Sequence, residues 1–143
     1  MSNYKLRKLE EKDYIQYIRL INSSITKYFF NNFIRNTLHD NHIIYVIEFD
    51  NLLIATGILL IEEKLTNDGC FMGHIENILV DEKYRGKGFG EIIVKKLLEI
   101  AKNRGCYRVD LICKPELENF YKKNNLQNNN IGMNILFKEN FKV

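Results

Sequence analysis

Val80-Asp81-Glu82-Lys83-Tyr84-Arg85-Gly86-Lys87-Gly88-Phe89-Gly90-Glu91 is the stretch on which the fold turns. Upstream of it, Gly73 to Val80 reads as a strand; downstream, Gly88 to Asn103 reads as a helix. Between the two stand Gly86, Gly88 and Gly90. A Gly-rich turn from strand to helix gathers backbone N–H groups and a helix N-terminus in one place, and that place attracts anions. Glycine also removes the Cβ atoms that would hold a pyrophosphate away from the backbone. Arg85 and Lys87 add positive charge at the same position.

Three phosphate-cradle patterns compete for this stretch. A Walker A loop requires G-x-x-x-x-G-K-S/T, and no such string occurs. A dinucleotide fingerprint requires G-x-G-x-x-G, but after Gly86 and Gly88 the third position holds Glu91. The pattern Q/R-x-x-G-x-G/A does fit, as Arg85-x-x-Gly88-x-Gly90.

Working outward, Ile93, Leu97 and Ile100 form a helical stripe beside Val94, Leu98 and Ala101. Asn103-Arg104-Gly105 is its stop, with Gly suited to the left-handed C′ position. Tyr107 to Cys113 reads as a strand, Pro115 as the N1 residue of a short helix, and Ile131 to Phe137 as a last strand. Asn124-Asn125 closes the short helix.

Toward the N-terminus, Asn67-Asp68-Gly69 and Asp50-Asn51 are turn signals that bracket the apolar run Leu52 to Ile61. Ile43 to Ile47 is a β-branched strand. Phe29, Phe30, Phe33, Ile34 and Leu38 make one helical stripe. Tyr14, Tyr17, Ile18 and Ile21 make another, with Asp13 as its N-cap. Tyr4 to Leu9 is a first strand. The elements describe an α/β (α+β) domain with a mixed, mostly antiparallel central sheet flanked by helices.

Length bounds the reading to one domain, residues 1–143. A hydrophobic fraction of 45% suffices for a core. Net charge of +3 is too mild for a nucleic-acid binder. No apolar run reaches the roughly 18 residues of a membrane span. Met1-Ser2-Asn3-Tyr4-Lys5 has no apolar leader segment, so a cytoplasmic chain is expected, with Cys70, Cys106 and Cys113 as reduced thiols. No Cys stands at zinc-finger spacing from His39, His42 or His74, so no metal is expected. Cys106 and Cys113 flank the fifth strand pattern and read as small buried hydrophobes.

Arg85-x-x-Gly88-x-Gly90, placed between a fourth strand and a third helix, resembles the acetyl-CoA pyrophosphate motif of the GNAT superfamily of N-acetyltransferases. A closer resemblance covers about Gly57 to Lys138. Gly73-His74-Ile75-Glu76-Asn77-Ile78, Lys83 to Gly88, Gly105-Cys106-Tyr107-Arg108 and Phe120-Tyr121-Lys122-Lys123 are similar to strings of the glucosamine-6-phosphate N-acetyltransferase family. The resemblance implies the GNAT fold, acetyl-CoA as co-substrate, glucosamine 6-phosphate as the amine, direct transfer in a ternary complex, and a homodimer whose last strand nears the partner's site.

It also implies roles. Ile78, Leu79 and Val80 would offer backbone N–H to the oxyanion and the cofactor. Arg85, Gly86, Lys87, Gly88, Phe89, Gly90 and Glu91, with Asn119 and Tyr121, would complete the cofactor set, and the Tyr121 hydroxyl would meet the departing thiolate. Glu76 and Asn77, expected on opposite faces of their strand, would line the sugar site with Tyr107, Asp110, Lys64 and Arg108, the last two as phosphate candidates. His74 is read as a hydrogen-bonded structural residue.

Four positions depart from that family's pattern: Asn77 stands for Asp, Ile112 for an acidic residue, Leu136 for a basic one and Asn67 for His. They keep open an acetyltransferase of another small amine or a peptide, and a non-catalytic acetyl-CoA binding module.

Overall fold

The computed structural model describes residues 3–141. The chain divides into two compact units, one ending at Leu111 and the other beginning at Ile112.

In the first unit, strand β1 (Tyr4–Lys8) is followed by a 3-10 turn (Glu11–Asp13) and helices α1 (Tyr14–Ile21) and α2 (Lys27–Asn36). Strands β2 (His42–Phe49), β3 (Leu52–Lys64) and β4 (Cys70–Val80) come next. A 3-10 turn (Glu82–Tyr84), helix α3 (Phe89–Asn103) and strand β5 (Cys106–Asp110) complete it. The sheet keeps chain order, β1-β2-β3-β4-β5. The first four strands pair antiparallel, and β5 joins β4 parallel after the α3 crossover.

Both hairpins are made by the turn residues their geometry demands. Asp50 and Asn51 have φ of 50° and 62°, and Asn67 and Asp68 have φ of 53° and 61°. These are left-handed conformations that Asn and Asp tolerate better than other side chains.

The apolar run in β3 has a simple cause. One core cluster sets Ile47, Ile54, Leu59 and Ala55 against Ile93, Leu97 and Ala101 of α3. A second sets Val46, Ile44 and Leu53 against Tyr17 and Leu20 of α1 and Phe30 of α2. Helices thus cover both faces of the central strands, so polar alternation has no place there. Each large side chain removed from water in this way contributes about 1.5–3 kcal/mol. The buried Thr56 hydroxyl is satisfied: it donates to the Tyr45 carbonyl at 3.0 Å and lies 3.3 Å from the Tyr17 oxygen.

Several expectations need correction. Asp13 precedes α1 but does not cap it with its side chain. Its carboxylate, almost fully buried, instead takes two 2.8 Å hydrogen bonds from Arg7 and a third from the Glu10 N–H. Arg7 also donates to Glu48. Burial alone would raise the Asp13 carboxyl, but Arg7 and the Glu10 N–H outweigh it and hold it below the usual range. The true side-chain cap is at α2, where Thr26 accepts from the Phe29 N–H at 3.1 Å. The fifth strand ends at Asp110 rather than Cys113, and it is half exposed, not buried.

In the second unit a 3-10 turn (Pro115–Leu117) with Pro at N1 leads into helix α4 (Glu118–Lys122). Asn125, with φ of 69°, ends it as expected. The expected last strand, Ile131 to Phe137, is not formed. Ile131, Met133, Ile135 and Phe137 are exposed. A strand requires a neighbour to accept its backbone hydrogen bonds, and this segment has none among the described residues. Among those residues no helix is long and apolar enough to cross a membrane.

Candidate active site

The turn between β4 and α3 has the anion-binding geometry its sequence promises. Gly86 and Gly88 have φ of 75° and 89°. A Cβ at either would meet nothing within 4 Å, so the backbone conformation, not crowding within the chain, calls for glycine. Gly88 is the N-cap of the 15-residue α3, and its side-chain-free cap leaves the first-turn N–H groups open to an anion. Arg85 is exposed, and its Nε donates to the Val80 carbonyl at 3.0 Å. The Lys87 ammonium lies 5.6 Å from the centre of the Tyr84 ring. Glu91 pairs with Lys95 at 2.9 Å. Phe89 is 1% exposed and packs edge-on against Tyr4 and Tyr84, so only its backbone is left for a ligand. Open left-handed glycines, a free helix N-terminus and two cations fit the pyrophosphate of a CoA-type molecule.

Beside this turn the sheet opens. β5 pairs with β4 only as far as His74↔Asp110, whereas β4 runs on to Val80. In that stretch β4 carries a bulge: Thr56 pairs with Leu79 and Ile58 with Glu76, so Asn77 and Ile78 together oppose Gly57. Asn77 adopts φ of 50°. The extra residue breaks the period-2 alternation, so Glu76 and Asn77 are both solvent-exposed rather than divided between an inner and an outer face. Ile78 and Val80 pack into the core cluster beneath α3 and Leu79 into the one beneath α1. Their side chains are thus committed, and what they can offer a ligand is backbone.

Farther down the strands the polar candidates are bound to one another. Arg108 holds Asp110 through Nε at 2.9 Å and Nη2 at 3.1 Å. The same Nη2 lies 3.5 Å from the Met72 sulfur, and the guanidinium lies 5.5 Å from the Tyr107 ring centre. His74 meets Glu62 at 2.9 Å, and Lys64 stands 4.0 Å from the other Glu62 oxygen. The His74 contact holds the Glu62 carboxyl below its usual range.

In the second unit, Asn119 is exposed on α4 and Tyr121 is buried, with 9% exposure. Burial, then the neighbouring Cys113, pushes the Tyr121 phenol above its ordinary value. A phenol is already protonated at neutral pH and burial reinforces this, so Tyr121 is available as a donor. The Phe120 and Tyr121 rings meet edge-on at 4.9 Å. Cys106 and Cys113 are half-buried rather than the buried hydrophobes expected, yet desolvation still raises both thiols, which disfavours either as a thiolate nucleophile. Ile112 is exposed, and Leu136 lies in the segment that forms no strand.

Sequence reading missed two features. One is the Asn77 bulge, for which an Asn inside a strand pattern is a faint signal. The other is Arg19, which reaches Asp81 from α1 across 62 positions and has no local signature.

Comparison with known proteins adds to this geometry. Residues 4–125 match the model of the acetyltransferase (GNAT) family. A probable glucosamine 6-phosphate N-acetyltransferase 2 from Oryza sativa subsp. japonica is 40% identical over 104 residues, 70% of this chain and 63% of that protein. The glucosamine 6-phosphate N-acetyltransferase of Arabidopsis thaliana is 39% identical over 100 residues, 68% of this chain and 67% of that one. The matched stretch thus spans less than two-thirds of the rice protein. A crystal structure of glucosamine-6-phosphate N-acetyltransferase from Arabidopsis thaliana superposes with a TM-score of 0.91 at 34% identity, covering 96% of this chain and 100% of that one.

Proposed function

This chain belongs to the acetyltransferase (GNAT) family, and from that premise we propose that it transfers the acetyl group of acetyl-CoA to the amine of glucosamine 6-phosphate. The product would be N-acetylglucosamine 6-phosphate, on the way to UDP-N-acetylglucosamine. The observation that carries the reading is the likeness to the Arabidopsis enzyme along nearly the whole length of both chains. Acetyl-CoA brings an acyl group already activated as a thioester; the rest is asked of the protein.

Such a site must hold amine and acyl group together, stabilise an oxyanion, take a proton from the amine and ease departure of the sulfur. Arg85, Lys87 and the backbone from Gly86 through Gly90 to Glu91 would hold the pyrophosphate, with Asn119 as a further polar contact. Backbone N–H groups in Ile78-Leu79-Val80 would serve the oxyanion; the core position of those side chains supports this. Tyr121, a phenol that burial makes still harder to ionise, would donate to the sulfur. The exposed pair Glu76 and Asn77 would face the sugar amine, and Glu76 is the member able to accept a proton. Tyr107, Arg108, Asp110 and Lys64 are the remaining substrate contacts in this reading.

One domain would carry this activity, since the family match over residues 4–125 crosses the boundary after Leu111. A homodimer belongs to the same reading, supported by the exposed apolar segment from Ile131 to Phe137. A reducing, cytoplasmic setting suits three free cysteines.

Asn67, Asn77, Ile112 and Leu136 favour a second reading, in which the acceptor is another small amine or a peptide. The test is thiol release from acetyl-CoA with glucosamine 6-phosphate, glucosamine and a panel of amines and peptides. Turnover with the phosphosugar alone supports the first reading. Turnover only elsewhere selects the second. Tight CoA binding without turnover leaves a binding module.

A further inference from the structure

We propose that Arg19 and Asp81 act as positioning residues for the phosphate-binding turn, a reading that rests on that turn being the CoA site. The ladder between β3 and β4 ends at Ala55↔Val80, and the Asp81 N–H adds one last bond to the Ile54 carbonyl at 2.7 Å. At that point the chain leaves the sheet. Arg19, on α1, forks over the exit: Nη1 donates to Asp81 Oδ2 at 2.8 Å, and Nη2 donates to the Leu53 carbonyl at 2.8 Å. A single guanidinium therefore joins the start of β3 to the first residue of the turn, and its planar fork fixes direction as well as distance.

Asp81 passes this constraint forward. Its other oxygen accepts from the Lys83 N–H at 3.0 Å, and its carbonyl accepts from the Tyr84 N–H at 2.8 Å. The short turn Glu82–Tyr84 is built on those two bonds. Arg85 follows at once and is tied back to the Val80 carbonyl. Past the turn, Phe89 anchors the start of α3 in the core. Arg85 to Gly88 lie between these two fixed points, exposed, with two glycines free of steric restraint. Where their N–H groups point is set by the entry angle at Asp81.

Stability alone is a weak reason for the pair. The Arg19 side chain is 43% exposed and the Asp81 side chain 16%, and an ion pair with one partner this open to solvent adds only a modest amount to folding. Their use is geometric: a turn held ready loses less freedom when a ligand orders it.

The test is CoA affinity by calorimetry for the unsubstituted chain, Arg19→Gln, Asp81→Asn, the double variant and Arg19→Lys, with thermal unfolding of each. Each single variant should weaken CoA about three- to tenfold, the span expected for residues coupled through one contact. The double variant should lose no more than the worse single one. Arg19→Lys should recover part of the loss, because an ammonium can reach Asp81 but cannot also fork to Leu53. In turnover the loss should fall on KM for acetyl-CoA and leave kcat nearly unchanged. Unchanged affinity in both single variants overturns the proposal, as do losses that multiply in the double variant. A drop in melting temperature with affinity intact overturns it too, by making the pair a fold contact. Should the unsubstituted chain itself fail to bind CoA, the CoA reading of the turn falls, and this proposal with it.

Discussion

Gly57 of β3 faces Ile93 of α3 across a gap that has no room for a methyl group: a Cβ there would stand 2.5 Å from Ile93 Cγ2 and 2.6 Å from Ile78 Cδ1. Ile93 Cγ2 sits on a branched carbon close to the helix and has little freedom to retreat. Ile78 belongs to the bulge in the part of β4 that runs on past β5. The contact thus links the packing of α3 to the shape of the candidate site.

Gly57→Ala should therefore cost about 1–3 kcal/mol of stability, the usual penalty for overpacking a filled core. Because Ile78 must shift to make room, turnover should drop as well. Denaturant unfolding and steady-state rates check both; an alanine variant as stable and as active as the original would show that the core has slack.

Gly88→Val places a β-branched residue at φ of 89°, where strain of about 1–3 kcal/mol is expected. It also sets a side chain in the open space before the helix N-terminus. CoA affinity should fall by about 2 kcal/mol or more, roughly thirtyfold. Calorimetry that finds the same affinity in the variant would remove the turn from the binding site.

Tyr121→Phe keeps the ring and removes the donor. If the hydroxyl meets the departing sulfur, kcat should fall by roughly 30- to 1000-fold, the range for one lost donor worth about 2–4 kcal/mol, with KM for acetyl-CoA nearly unchanged. Melting temperature should hardly move. A loss below about threefold would return Tyr121 to the role of a buried aromatic.

Asp13→Asn tests the Arg7 cluster. The native Asp13 carboxyl lies below its usual range, so its contribution is present above the ordinary carboxylate value of about 4 and is lost as pH falls through the lower, native value. Asn keeps the shape, but its single amide oxygen can accept only one of the two hydrogen bonds from Arg7 and its NH2 faces the other donor, for a loss of about 1–3 kcal/mol near neutrality. The gap between the two proteins should narrow as pH falls below about 4. Urea unfolding across that range would contradict this if the gap stayed constant.

The homodimer reading predicts a dimer mass by light scattering at micromolar protein, and a monomer once residues 131–143 are deleted. Alternating apolar side chains on a segment without a strand neighbour are a surface that invites pairing. A monomeric mass for the intact chain would count against it.

Local signals carried most of the architecture. Asp50-Asn51 and Asn67-Asp68-Gly69 name their turns because few other residues accept left-handed backbone. Gly88 marks the start of α3 for the same reason. What failed to show in sequence depends on partners far along the chain. Asp13 looks like a cap until Arg7 and Glu48 are beside it. Ile131 to Phe137 alternates like a strand, but alternation specifies a face, not a neighbour to pair with. Glu76 and Asn77 were legible as a pair; that they are both exposed follows from one extra residue opposite Gly57, which no periodicity reveals. Arg19 is ordinary on its helix and acquires meaning only where α1 crosses the end of β4.

The sheet order β1-β2-β3-β4-β5 repeats the order of synthesis. Each strand, as it leaves the ribosome, meets a partner already made, and two of the first three pairings close over hairpins of a few residues. Loops that short close in well under a microsecond, so β2, β3 and β4 can zip vectorially. Only β5 must wait, since α3 has to be complete and docked before a parallel strand can arrive beside β4. Growth from one edge leaves the β4 flank as the last exposed seam of the nascent chain, and pulse-labelled hydrogen exchange should find amides of β2 and β3 protected before those of β5.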